Sequence, residues 1–90
     1  MMIEVIVQNE QEAVEAEKLG AGRLELVSSI NEGGLTPSFG TIERVLASVT
    51  IPVQVMIRPH SRDFFYTDSE MNTIIEDVKN ILKLGGRGIV

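Results

Sequence analysis

The sequence predicts an α/β fold with parallel strands in the order βαβαβαβ, part of a TIM (β/α)8 barrel. Three observations predict it. Runs rich in β-branched residues alternate with amphipathic segments of helical length. Each strand-like run has one purely aliphatic face and one face carrying polar groups. The chain has 90 residues, where a complete barrel takes about 250. The expectation is therefore one α/β unit over residues 1–90, the N-terminal part of a barrel, ending within a fourth strand. A complete small open sheet is the alternative.

The elements follow in order. Ile3 to Val7 is a β-branched strand. Asn9 with Glu12 three positions on reads as an N-cap and its capping-box partner, opening a helix from Glu10 to Leu19. Gly20 and Gly22 supply the exit, and Arg23 to Val27 is the second strand. After a loop from Ser28 to Leu35, Thr36 as N-cap and Pro37 at the first helical position start a second helix. Its apolar stripe is Phe39, Ile42, Val45, Leu46 and Val49. Pro52 opens a third strand, Val53 to Ile57, followed by a polar loop from Arg58 to Tyr66. Thr67 with Glu70 forms another capping box. Met71, Ile74, Ile75, Val78, Ile81 and Leu82 stripe the third helix, which Gly85 and Gly86 stop. Gly88 to Val90 reads as the opening of strand four.

Composition narrows the function. Apolar residues make up 43% of the chain, nearly all aliphatic, which fits a packed layer and argues against disorder. Thirteen acidic side chains against 8 basic ones give a net charge of −5, and no basic stripe offers a phosphate backbone its contacts. Nucleic acid is thus not an expected partner. The chain has no cysteine, which removes disulfides, zinc–thiolate sites and a thiol nucleophile. No apolar run reaches about 18 residues, so no membrane span is expected, and the first residues lack the pattern of a signal peptide.

The strand faces locate a candidate site. Ile3, Val5, Val7, Leu24, Leu26, Val53, Val55 and Ile57 belong against helices. Glu4, Ile6, Gln8, Glu25, Val27, Gln54, Met56 and Arg58 fall on the other face. A doubly wound sheet covers both faces with helices and wants both apolar; in a barrel the second face is the interior. Glu4, Glu25, Gln54 and Arg58 therefore favour the barrel, with a functional pocket there. The structural alternative is that the carboxylates pair with Arg58 or Arg23. The loops after the second and third strands open on the side where α/β proteins bind ligands. The first carries Glu32 and the Gly33–Gly34 pair, which reads as a plain turn or as an anion cradle. The second gathers Arg58, Pro59, His60, Ser61, Arg62, Asp63 and Tyr66 within nine positions. Arg58 suits a carboxylate or phosphate. His60 is the only histidine, and its ordinary role in a loop is simply to be solvated. No set of ligands meets a strict metal spacing.

Several stretches are shared with a known family. Glu4-Val5 with Val7, the run from Gly20 to Leu26, Glu32-Gly33-Gly34-Leu35-Thr36-Pro37-Ser38, and Ile51 to Pro59 resemble the CutC copper homeostasis proteins. Asp63-Phe64 with Tyr66 and Asp68 continues the likeness, so it covers essentially the whole chain as the N-terminal part of a longer sequence. The resemblance implies a TIM-barrel-like, cytoplasmic protein, often an oligomer, with a copper role and no accepted reaction. It carries Glu4, Glu25 and Glu32 over as matching family acids, and Arg58-Pro59 as the matching pair at the mouth of strand three. Two departures bear on function. Family members often have Cys where this sequence has Ile6 and Val27, and His60-Ser61-Arg62 stands where Arg-Gly-Gly is more usual.

Two functions follow. The first is a CutC-like copper homeostasis protein. Copper(I) prefers thiolate and thioether, and with no cysteine only Met56 and His60 are candidate metal ligands, which argues against a direct copper role. The second is a barrel enzyme, or its relic, that binds a small anionic metabolite through Arg58 and interior carboxylates. The expected ligand set is Glu4, Glu25, Glu32, Arg58 and His60. A unit without any site is the third option, since fold alone does not decide function.

Overall fold

A computed structural model describes residues 2–86. The elements are β1 (Glu4–Val7), α1 (Glu10–Lys18), β2 (Arg23–Leu26), a 3-10 turn (Ile30–Glu32), α2 (Phe39–Ser48), β3 (Val53–Val55) and α3 (Asp68–Lys83). The three strands form one parallel sheet in the order β1-β2-β3. This is the arrangement of part of an α/β barrel. The strand expected at Gly88 to Val90 lies outside the described residues.

Side-chain alternation sorts the two faces as the sequence predicts, except that Ile3, expected against the helices, is exposed and stands outside the core cluster. Val7, Leu24, Leu26, Val53, Val55 and Ile57 are buried in one cluster with Ala13 and Ala16 of α1, Ile42 and Val45 of α2 and Ile81 of α3. In register, Glu4 lies beside Arg23, and Ile6, Glu25 and Gln54 share a row. None of these five is fully buried. Val27 is the buried exception on that face. The loop after β2 folds back over it, so that a Cβ on Gly34 would lie 3.6 Å from its side chain.

The helix starts differ from expectation in two places. Asn9 caps α1 by accepting from the Glu12 N–H at 2.8 Å, but Glu12 returns its carboxylate to the N–H of Gln8, not to that of the cap. Ser38, not Thr36, caps α2, its Oγ accepting from the Thr41 N–H. Thr36 is engaged elsewhere: its Oγ1 accepts from the Arg58 N–H at 2.7 Å, and its own N–H donates to the Arg58 carbonyl. The residue after the β2 loop is thereby stitched to the end of β3. At α3 the full capping box forms between Thr67 and Glu70. Only part of the α3 stripe is engaged, because Ile81 is buried and Ile74 and Val78 partly so, whereas Met71, Ile75 and Leu82 are exposed.

Candidate functional site

The site is built where the loops after β2 and β3 meet. Ser28 and Leu35 form an antiparallel bridge that closes the first loop. Ser29, Gly33 and Gly34 all take positive φ inside it. The N–H of Gly33 donates to the Ile30 carbonyl and that of Gly34 to the Ser29 carbonyl. These amides serve the turn itself, so the glycine pair is not an anion cradle. Its value is spatial: without a side chain, Gly33 lets the Arg58 guanidinium lie against the turn.

Arg58 leaves the end of β3 and crosses to that turn. Its Nη1 donates to the Glu32 carbonyl at 3.1 Å and its Nη2 to the Ser61 carbonyl at 3.4 Å. The guanidinium carbon stands 4.8 Å from the centre of the Phe64 ring, within cation–π range. Its Nε is buried with no hydrogen-bond partner. A cavity of about 400 Å³ lies here, lined by Gly33, Met56, Ile57, Arg58, Phe64 and Tyr66. That size suits a small molecule. A larger apolar groove of about 640 Å³ runs along the edge of β1 and α1, past Ile3, Ile6 and Leu19. It lies along the outer edge of β1, which pairs with no other strand than β2 among the described residues, and away from every cation of the Arg58 loop, so the smaller cavity is the better candidate.

The expected site residues do not form one cluster. Glu32 joins Arg58 through its backbone, and its Oε1 accepts from Ser61 Oγ at 3.0 Å. Glu4 is bound to Arg23, Oε2 to Nε at 2.6 Å, on the partly exposed polar face. Glu25 shares a row with Gln54 and makes no side-chain hydrogen bond or ion pair among the described residues. Arg58 therefore meets backbone carbonyls and an aromatic ring rather than the carboxylate of Glu4 or Glu25. His60 is largely buried and does not line the cavity; it packs on Tyr66, which does, at 5.2 Å between ring centres.

His60 and Arg62 converge on Glu70 Oε2, at 2.9 and 3.0 Å. The His60 contact is a close approach without good hydrogen-bond geometry, and both ring nitrogens are otherwise unpartnered. Glu70 Oε1 accepts from the Thr67 N–H. Its carboxyl is held below the usual carboxylate range, chiefly by that N–H, with the Thr67 hydroxyl, His60 and Arg62 adding to it. Thr36, Ser61, Phe64 and Glu70 thus complete the loop pair, and no local sequence pattern assigns them that role, apart from the capping box at Glu70.

The described residues offer no group of three or more His, Cys, Asp or Glu side chains that would hold a metal. A single thioether, Met56, lines the cavity. That donor set does not fit copper(I), which wants several soft ligands.

The family model of the CutC family matches residues 1–90. The chain belongs to the CutC family. Two CutC family proteins, from Salmonella heidelberg and Salmonella typhi, are each 42% identical to it over 89 residues, which is 99% of this chain and 36% and 34% of theirs. The crystal structure of a CutC protein from Streptococcus agalactiae, provisionally named for copper homeostasis, superposes with a TM-score of 0.85 at 30% identity. It covers 99% of this chain and 44% of its own. The chain thus spans about a third of the length of the two Salmonella relatives and under half of the Streptococcus chain.

Proposed function

We propose that this unit forms the N-terminal part of a TIM barrel and one wall of a binding site for a small anionic ligand, with Arg58 as its anchor. One observation carries the reading: Arg58 is the one cation lining this cavity, and among the described residues its guanidinium meets backbone carbonyls and no carboxylate. A guanidinium whose charge no carboxylate neutralises is suited to take an anionic ligand. Phe64 and Tyr66 wall the cavity, and Glu25, open on the polar face, is the carboxylate available to face a ligand across a closed barrel. The full-length protein is then a cytoplasmic oligomer, with any catalytic groups supplied by later strands. Thermal melts of that protein with and without small carboxylates or phosphate test the reading. Wild type rises in Tm with at least one anion and Arg58→Met does not; the same response in both removes Arg58 from the site.

The copper homeostasis name of the Streptococcus relative supports a second reading, in which the full-length protein handles copper. Met56 and His60 alone then make this chain a weak partner, and the remaining ligands come from elsewhere in the protein. Metal analysis as purified, followed by an anaerobic copper(I) competition titration, separates the two. Affinity tighter than about nanomolar that survives Met56→Leu together with His60→Gln assigns copper to other residues.

A further inference from the structure

We infer that the anion taken at Arg58 is the carboxylate of a molecule with a flat apolar body. This rests on the anion-site reading above and adds the ligand's class.

The cavity has one cation. Its other lining residues are Gly33, Met56, Ile57, Phe64 and Tyr66, which are apolar or aromatic apart from the tyrosine hydroxyl. A phosphate dianion calls for several donors or charges. Here the amides of Gly33 and Gly34 are already spent inside their turn, and no lysine or second arginine lines the space. The Glu32 carboxylate, held by Ser61 beside the guanidinium's own acceptor, adds negative charge where a dianion would add more. A monoanionic carboxylate needs less. Nη1 and Nη2 each have one N–H committed to a carbonyl and a second N–H left over. Two remaining donors match what a carboxylate accepts.

The rest of the ligand is set by the aromatic wall. Phe64 packs near the guanidinium and lines the cavity. A large ring beside a cavity it lines offers a face for another flat apolar group. Tyr66 is held by His60 on the same wall. A flat body placed against these rings buries apolar area while its carboxylate reaches Arg58.

Isothermal titration of the full-length protein with benzoate, acetate and inorganic phosphate tests this. The expected result is benzoate binding about tenfold tighter than acetate, and tighter than phosphate. Phe64→Ala should weaken benzoate more than acetate and so erase the advantage of benzoate. Arg58→Met should abolish all Arg58-dependent binding, and Arg58→Lys, which keeps the charge but loses the fork, should weaken it. Arg58-dependent binding in which acetate or phosphate equals benzoate, or in which Phe64→Ala changes nothing, overturns the apolar-carboxylate inference and leaves the anion site standing. No Arg58-dependent binding of any of the three overturns both.

Discussion

Gly33 makes room for Arg58: a Cβ on Gly33 would lie 2.9 Å from Arg58 Nη1. The two residues sit on different loops, 25 positions apart in the chain, and the guanidinium reaches its carbonyl acceptor only because the turn carries no side chain there. Gly33 also has φ +88°, a conformation that costs an L-residue free energy whatever the space around it.

Gly33→Ala should therefore do two things. The positive φ costs about 1–2 kcal/mol of stability. The clash itself is cheap, since its partner is the end of a flexible side chain, but relief comes by moving the guanidinium off the Glu32 carbonyl. Denaturant unfolding should show the first effect, and loss of the anion-induced rise in Tm the second. A variant with normal stability and normal anion response would break the link between turn and guanidinium.

Arg58→Met separates a structural from a ligand role. A buried arginine pairing a carboxylate strands that charge when removed, at about 3–5 kcal/mol. The acceptors of Arg58 are instead the carbonyls of Glu32 and Ser61. Losing two such bonds costs about 1–2 kcal/mol, and methionine keeps the packing of the aliphatic stem. Denaturant unfolding of the two proteins without ligand measures it, and a loss above about 3 kcal/mol would point to a buried ion pair.

The α3 start should be sensitive to both sequence and acid. Thr67→Ala removes the hydroxyl that accepts from the Glu70 N–H, at a cost of about 1 kcal/mol. The folded-state pKa of Glu70 lies below its ordinary value near 4.5. Its contribution is thus present above that value and lost as pH falls through the lower, folded one. Circular dichroism melts from pH 7 down to about 3 should show the helix start loosening only in the acid range. A Glu70→Gln variant should lose the acid-dependent part and leave the neutral-pH fold in place.

The polar and apolar strand faces were legible because period-two alternation needs no partner to be known. Leu24 and Leu26 point to the core and Glu25 away from it on the pleat alone. The Thr67–Glu70 capping box was legible for the same reason, as a local pattern of types and spacing. Ser38 and Thr36 show the limit. Both are good caps by type, and what chooses between them is a bond from Thr36 to the backbone of Arg58, 22 residues away. The partners of Arg58 were hidden more deeply, because backbone carbonyls occur at every residue and carry no sequence mark. Half of the α3 stripe stayed exposed because its apolar face is broader than the surface this unit presents to it.

Glu17 makes the last prediction, on the opposite side of the molecule's loops. Its Oε2 accepts from the Thr50 N–H at 2.7 Å, from Thr50 Oγ1 at 3.0 Å and from the Ile51 N–H at 3.3 Å. One carboxylate at the end of α1 thus holds the connection between α2 and β3. These donors favour the charged form and lower its pKa from 4.5, the Thr50 N–H most of all, against a smaller opposing effect of burial. A depressed folded-state pKa means the stabilisation is complete above the unfolded value and disappears as pH drops through the folded one. Glu17→Gln keeps a neutral acceptor of the same shape, so the wild type should exceed it in Tm at pH 7 and lose that margin below the ordinary carboxylate range. Paired melts of the full-length protein across that range measure the margin. A difference that stays constant from neutral to acid pH would mean that the charge of Glu17 contributes nothing and that the loop is held by shape alone.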